Sequence, residues 1–94
     1  MLRIDRSANR KVIFTLSGRI QTEDIQNVQY LLVLETSGQP LLFDLRDVTL
    51  VNQDAVNLLA ACEAQGIELG NCPRYIRNWI DRELRRAQDF PAPD

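Results

Sequence analysis

Hydrophobic and polar positions alternate with a period of two at the start of the chain and with a helical period further on. Residues 2–6 (LRIDR) and 11–17 (KVIFTLS) alternate as half-buried strands do. The polar Ser7-Ala8-Asn9-Arg10 between them is short enough for a hairpin, and Gly18 is expected to end the second strand. Ile25, Val28, Leu31 and Leu32 then follow at helical spacing. Thr22 is the expected N-cap of that helix, Glu23 and Asp24 suit the positive end of its dipole, and Gly38 lies beyond its end. Leu41 to Leu45 is a short apolar run of the kind an interior strand carries. Asp44 and Asp47 are expected to shape a turn after it.

Asn52 can cap a second helix, from Gln53 to about Gln65, with Ala55, Leu58, Leu59 and Cys62 as its buried stripe and Gly66 as its stop. Ile67 to Leu69 reads as a short strand, and Cys72-Pro73 opens a last helix with proline in the first turn. On that helix Tyr75, Ile76, Trp79, Ile80 and Leu84 share one arc, while Arg74, Arg77, Asp81, Arg82 and Arg85 gather on the other. Tyr75 and Trp79 are read as core anchors, and the arginines, interleaved with Asp81 and Glu83, as a solvated face of mixed charge. The order β-β-α-β-α-β-α implies one layered α/β domain over residues 1–90, with a mixed sheet of about four strands covered by helices. The proline-containing tail 91–94 is expected to fray.

Composition narrows the chemistry. The chain has no histidine, which removes the commonest general base and the commonest metal ligand. Two cysteines, Cys62 and Cys72, make neither a zinc site nor a disulfide framework, and four scattered glycines form no phosphate loop. We therefore expect no enzymatic activity, no metal and no cofactor. Cys72 precedes a helix, where a thiol can become reactive, but without a neighbouring base it reads as a small, partly buried residue. A net charge of −2 gives no global attraction to nucleic acid, and no apolar run reaches the ~18 residues that a membrane helix needs. The charged start MLRIDRSANR lacks the apolar core of a signal peptide, so a cytoplasmic location is expected.

Two segments resemble a known family. LLFDLRDVTLVNQDAVNLL is similar to the hydrophobic strand, acidic turn and polar helix start of STAS domains. That is the fold of anti-sigma-factor antagonists and of cytoplasmic modules on sulfate transporters. CEAQGIELGNCPRYIRNWI resembles a subgroup of short, free-standing bacterial STAS-like proteins. In the family the helix start reads Asp-Ser-Ser/Thr-Gly, and a kinase partner phosphorylates the second hydroxyl residue. The matching positions here are Asn52, Gln53, Asp54 and Ala55, so Asp54 stands where the phosphorylated residue would be.

A phosphate at a helix start would carry about −1.5 to −2 charges, whereas Asp54 supplies a permanent single one. The resemblance thus implies a non-catalytic regulator or scaffold that meets an anti-sigma factor or kinase-like switch protein through Asn52, Gln53, Asp54 and Thr49. In a plainer reading Asp54 only complements the helix dipole. The chain is also compatible with a small accessory subunit of a transporter complex, or with a nucleotide- or small-anion-binding domain. Homodimerisation through a sheet edge stays open.

Overall fold

The computed structural model describes residues 2–8, 10–35 and 38–89; the tail expected at 91–94 lies outside the described residues. Its elements are β1 (Leu2–Ala8), β2 (Val12–Ile20), α1 (Thr22–Leu34), β3 (Leu41–Val51), α2 (Gln53–Ala64), β4 (Glu68–Gly70) and α3 (Arg74–Asp89). The strands lie side by side in the order β1-β2-β3-β4. β1 and β2 are antiparallel and the two remaining pairings are parallel. This is the expected mixed four-stranded sheet.

Alternation along β2 buries Val12, Phe14 and Leu16 and leaves Ile13, Thr15 and Ser17 half-exposed, so the helices cover one face of the sheet. On that face Phe14 and Phe43, in register on neighbouring strands, meet edge to face with ring centroids 5.9 Å apart. Val28 of α1, Ala55, Val56, Leu58, Leu59 and Cys62 of α2, and Ile76 and Ile80 of α3 complete the same buried cluster. The stripe expected on α2 is buried in full.

The strands run further than the apolar run suggests. Gly18 does not end β2: with φ 92° it is accommodated inside the strand, at a register shift, and pairing continues to Ile20. Asp44 and Asp47 do not form a turn either, because β3 continues to Val51. Between their pairings with Thr15 and Ser17, β3 holds two residues opposite one of β2, which is a bulge. Asp44 Oδ1 accepts from the Arg46 N–H at 3.0 Å and from Asn71 Nδ2 at 3.2 Å, so the carboxylate satisfies a donor that the bulge frees. Asp44 thus has turn-like chemistry within a strand.

The helix ends follow local chemistry. Asn52 caps α2, its Oδ1 accepting from the Ala55 N–H at 2.9 Å. At the other end Gly66, with φ 101°, donates to the Glu63 carbonyl, and Ile67 donates to the Cys62 carbonyl, each at 3.0 Å. That double bond pattern is a Schellman motif, and the buried Ile67 seals it. Thr22 is not the cap of α1. Gln21 holds that position, and Asp24 Oδ2 accepts from its N–H at 2.9 Å. Pro73 stands one residue before α3 instead of in its first turn, and its carbonyl accepts from the Arg77 N–H at 2.9 Å.

Burial decides the cysteine chemistry. Cys62 is 3% exposed, and desolvation of the anion pushes its thiol from 9.0 up to about 11. The folded state therefore keeps a proton that the unfolded chain releases. That contribution to stability is complete below pH 9.0 and is lost as pH rises through about 11, about 2–3 kcal/mol in all. Denaturation midpoints of wild type and Cys62→Ala should run parallel below pH 9.0 and converge between 9.0 and about 11. Curves that stay parallel throughout would contradict this assignment. Half-buried Cys72 is also raised by burial, with Arg77 opposing the shift.

Candidate functional site

The α2 start is built by the junction of β3 with the helix cap. β3 ends at Val51, Asn52 turns the chain, and Gln53 and Asp54 stand exposed in the first helical turn. The same Asn52 side chain that caps α2 donates through Nδ2 to Thr22 Oγ1 at 2.9 Å. The Thr22 hydroxyl in turn donates to Asp54 Oδ2 at 2.6 Å. One hydroxyl thus ties together the starts of α1 and α2 and holds the Asp54 carboxylate in one orientation. The sequence pattern points to this threonine only as a cap. The signal for its second role is weak, because Thr22 and Asp54 are 32 residues apart.

The four residues expected to form one surface do not all face the same way. At 100° per residue around α2, Asp54 turns toward α1 and Gln53 toward α3. Asp54 lines a groove of about 630 Å³ with Thr22, Ile25, Gln29 and Leu58. Gln53 lines a second groove, of about 750 Å³, between α2 and α3. Asn57 and Ala61 form the ridge between the two grooves and border both. Gln53 is steadied by its own helix, Nε2 donating to Asn57 Oδ1 at 3.0 Å. Thr49 is exposed on β3, and its backbone carbonyl accepts the Tyr75 hydroxyl at 2.5 Å. Tyr75 is therefore no core anchor: it is 47% exposed and pins α3 to β3 through its hydroxyl. Trp79 does pack against the core, half-buried.

Arg77 leaves the solvated face on which the sequence places it. Its guanidinium binds Glu63 at 2.6 and 2.7 Å and Asp81 Oδ1 at 2.6 Å, tying the last turn of α2 to α3. The Glu63 hydrogen bond is the main reason that Arg77 is held above its usual range, against the desolvation that opposes it. Asp44 and Asp47 converge on no third ligand, and among the described residues no group of three or more Cys, Asp or Glu side chains is placed to hold a metal ion. No helix among the described residues is long and apolar enough to cross a membrane.

The element order, the mixed sheet with β1 at one edge, and a capped helix start directly after the long β3 define a STAS-like α/β fold. A solved counterpart is the crystal structure of an uncharacterised protein of the DUF3478 family from Shewanella loihica PV-4, described as having a SpoIIAA-like fold. The two share 17% identity at a TM-score of 0.51, over 92% of this chain and 79% of that one. At that identity the likeness is one of fold. No family model and no curated protein matches the chain.

Proposed function

We propose that the protein is a non-catalytic interaction module, an anti-sigma-factor-antagonist-like regulator or scaffold whose recognition surface is the start of α2. The observation that carries this reading is the Asn52–Thr22–Asp54 network. It presents a fixed carboxylate at an exposed helix start, at the position where the STAS resemblance places a phosphorylated residue. A carboxylate held by a neighbouring hydroxyl loses little conformational entropy when a partner engages it. Its charge also does not depend on a kinase, so binding is constitutive. The partner in this reading is an anti-sigma factor or a kinase-like switch protein that meets Asp54 on the α1 side of the helix start, with Gln53 and Thr49 at the margins of the contact.

The test separates charge from stability. Asp54→Asn keeps an oxygen for the Thr22 hydroxyl and removes the negative charge. Its cost in stability should stay near the helix-dipole value of about 0.3–1 kcal/mol. Affinity for the partner, recovered by pull-down and measured by calorimetry, should fall by about tenfold or more, equivalent to about 1.4 kcal/mol. A parallel pull-down with Asp54→Ser restores a hydroxyl at the family's position. Loss of stability with unchanged affinity would reduce Asp54 to a partner of the helix dipole. Recovery of membrane transporter components would favour an accessory-subunit role instead.

A further inference from the structure

We infer that the groove between α2 and α3 receives an amphipathic helix with an acidic flank, supplied by a partner protein. The inference rests on the reading of the α2 start as a partner surface and extends it along the neighbouring groove.

The first observation is how charge is arranged in space. Residues 74–86 carry five of the ten arginines and a net +3 in a chain of net −2, leaving −5 on the remaining residues. In sequence these arginines alternate with acids, the usual pattern of a solvated helix. In the fold the two signs separate. Arg77 is consumed by Glu63 and Asp81. Arg74, Arg82 and Arg85 are exposed and make no ion pair among the described residues, and Arg86 meets Glu83 only loosely, at 3.7 Å. At 100° per residue those four arginines and Asn78 fall within about 120° of arc, and Asp81 and Glu83 lie to either side of it. The result is a cationic stripe with no acid inside it.

The second observation is the shape beside the stripe. The α2/α3 groove, about 750 Å³, is floored by Ala60, Ala64 and Leu84, with Ala61 on its ridge. Through Gln53, Glu83 and Arg86 it adjoins a smaller hollow of about 420 Å³ that Trp79 and Arg82 also line. Small side chains on a helix let a second helix approach closely, toward the ~8 Å lower limit of interaxial distance. The apolar floor suits the apolar face of a helix; Arg86 on the groove wall, beside Glu83, and Arg82 in the adjoining hollow suit carboxylates one turn apart on its flank. Charge complementarity therefore selects an acidic partner. The −5 on the remaining residues disfavours an extended polyanion such as nucleic acid, or an anionic membrane, because both would reach beyond the stripe.

Trp79 is the only tryptophan and lines the hollow, so its emission reports occupancy directly. The probe is a synthetic 15-residue amphipathic peptide with leucine and alanine on one face and glutamate along the flank. Full-length protein titrated with it should show saturable changes in Trp79 emission and in the backbone amide signals of Ala60, Ala64 and Leu84. Affinity should weaken as salt rises. It should fall at least tenfold for Arg82→Glu/Arg86→Glu, and at least tenfold when the peptide glutamates become lysine. Ala64 is exposed, so Ala64→Trp should fill the groove and abolish binding while the circular dichroism of the fold is unchanged.

No response to the acidic peptide overturns the proposal, as does tighter binding of a single-stranded oligonucleotide or of phosphatidylglycerol vesicles. Asp54→Asn should leave peptide binding intact, which keeps this test separate from that of the α2 start. A captured partner that is lost with Asp54→Asn but retained by Arg82→Glu/Arg86→Glu would sink the groove and leave the α2 start standing.

Discussion

Replacing Phe43 by alanine should destabilise the protein by about 3–5 kcal/mol, the range for deleting a fully buried aromatic side chain. Phe43 is 1% exposed, lies near the start of β3, and meets Phe14 edge to face across the pairing of β2 with β3. Its loss removes transfer free energy and the aromatic contact at once, and leaves a cavity in the core that the sheet shares with the helices. A chain of this size is expected to have about 5–15 kcal/mol of total stability, so this single change consumes a large share of it. Urea denaturation followed by circular dichroism should show the midpoint falling with little change in slope. A loss below about 1 kcal/mol would mean that the β2–β3 register is misassigned.

Ile80→Ala is expected to cost about 2–5 kcal/mol, with a different spatial signature. Among the described side chains of α3, Ile76 and Ile80 are the two with no exposure, and Trp79 and Leu84 add half-buried contacts. The helix therefore docks on few apolar residues, supported by the Arg77–Glu63 pair and the Tyr75 hydroxyl. Loss of one anchor should loosen α3 before the sheet opens, because locally weak contacts unfold at lower free energy than the core. Native-state hydrogen exchange should then show α3 amides exchanging much faster than in wild type, while β2 and β3 amides lose only part of their protection. Uniform loss across all elements would show that α3 and the sheet unfold as one cooperative unit.

The two variants also bear on function. Both proposed surfaces use α2, the helix between α1 and α3. Phe43→Ala should loosen the core that α2 shares with the sheet and impair both surfaces. Ile80→Ala should impair the α2/α3 groove more than the Asp54 side, since Asp54 is held by Thr22 of α1.

What is legible in the sequence is set by short-range chemistry. The apolar period of β2 and α2, the Asn52 cap, the Gly66 stop and the burial of Cys62 each depend on residues within one or two turns. A helix cap is a bond between neighbours three residues apart, so its partners are visible in the sequence itself. The STAS-like resemblance likewise rests on a contiguous strand and helix start, and the fold bears it out although the expected turn lies within the strand.

Local preference fails where contacts between distant residues override it. Asp44, Asp47 and Gly18 are turn and break residues by propensity. Pairing of β2 with β3 gives them a place in strands, because a bulge absorbs the mismatch more cheaply than ending the sheet. Tyr75 falls on the apolar arc of α3 by spacing, yet its hydroxyl finds the Thr49 carbonyl 26 residues away and the ring stays at the surface. Sequence order mixes the signs of charge along α3, but the buried side of the helix decides which charges meet water. Arg77 is drawn to Glu63, 14 residues away, and the other arginines are left together. The sequence by itself determined the elements, their order and the cap of α2, because these depend on local periodicity and on hydrogen bonds between near neighbours. Only the tertiary structure decided that Thr22 holds Asp54, that Gln53 and Asp54 face opposite grooves, and that α3 presents a cationic stripe. Each of these depends on which distant segments the common core brings together.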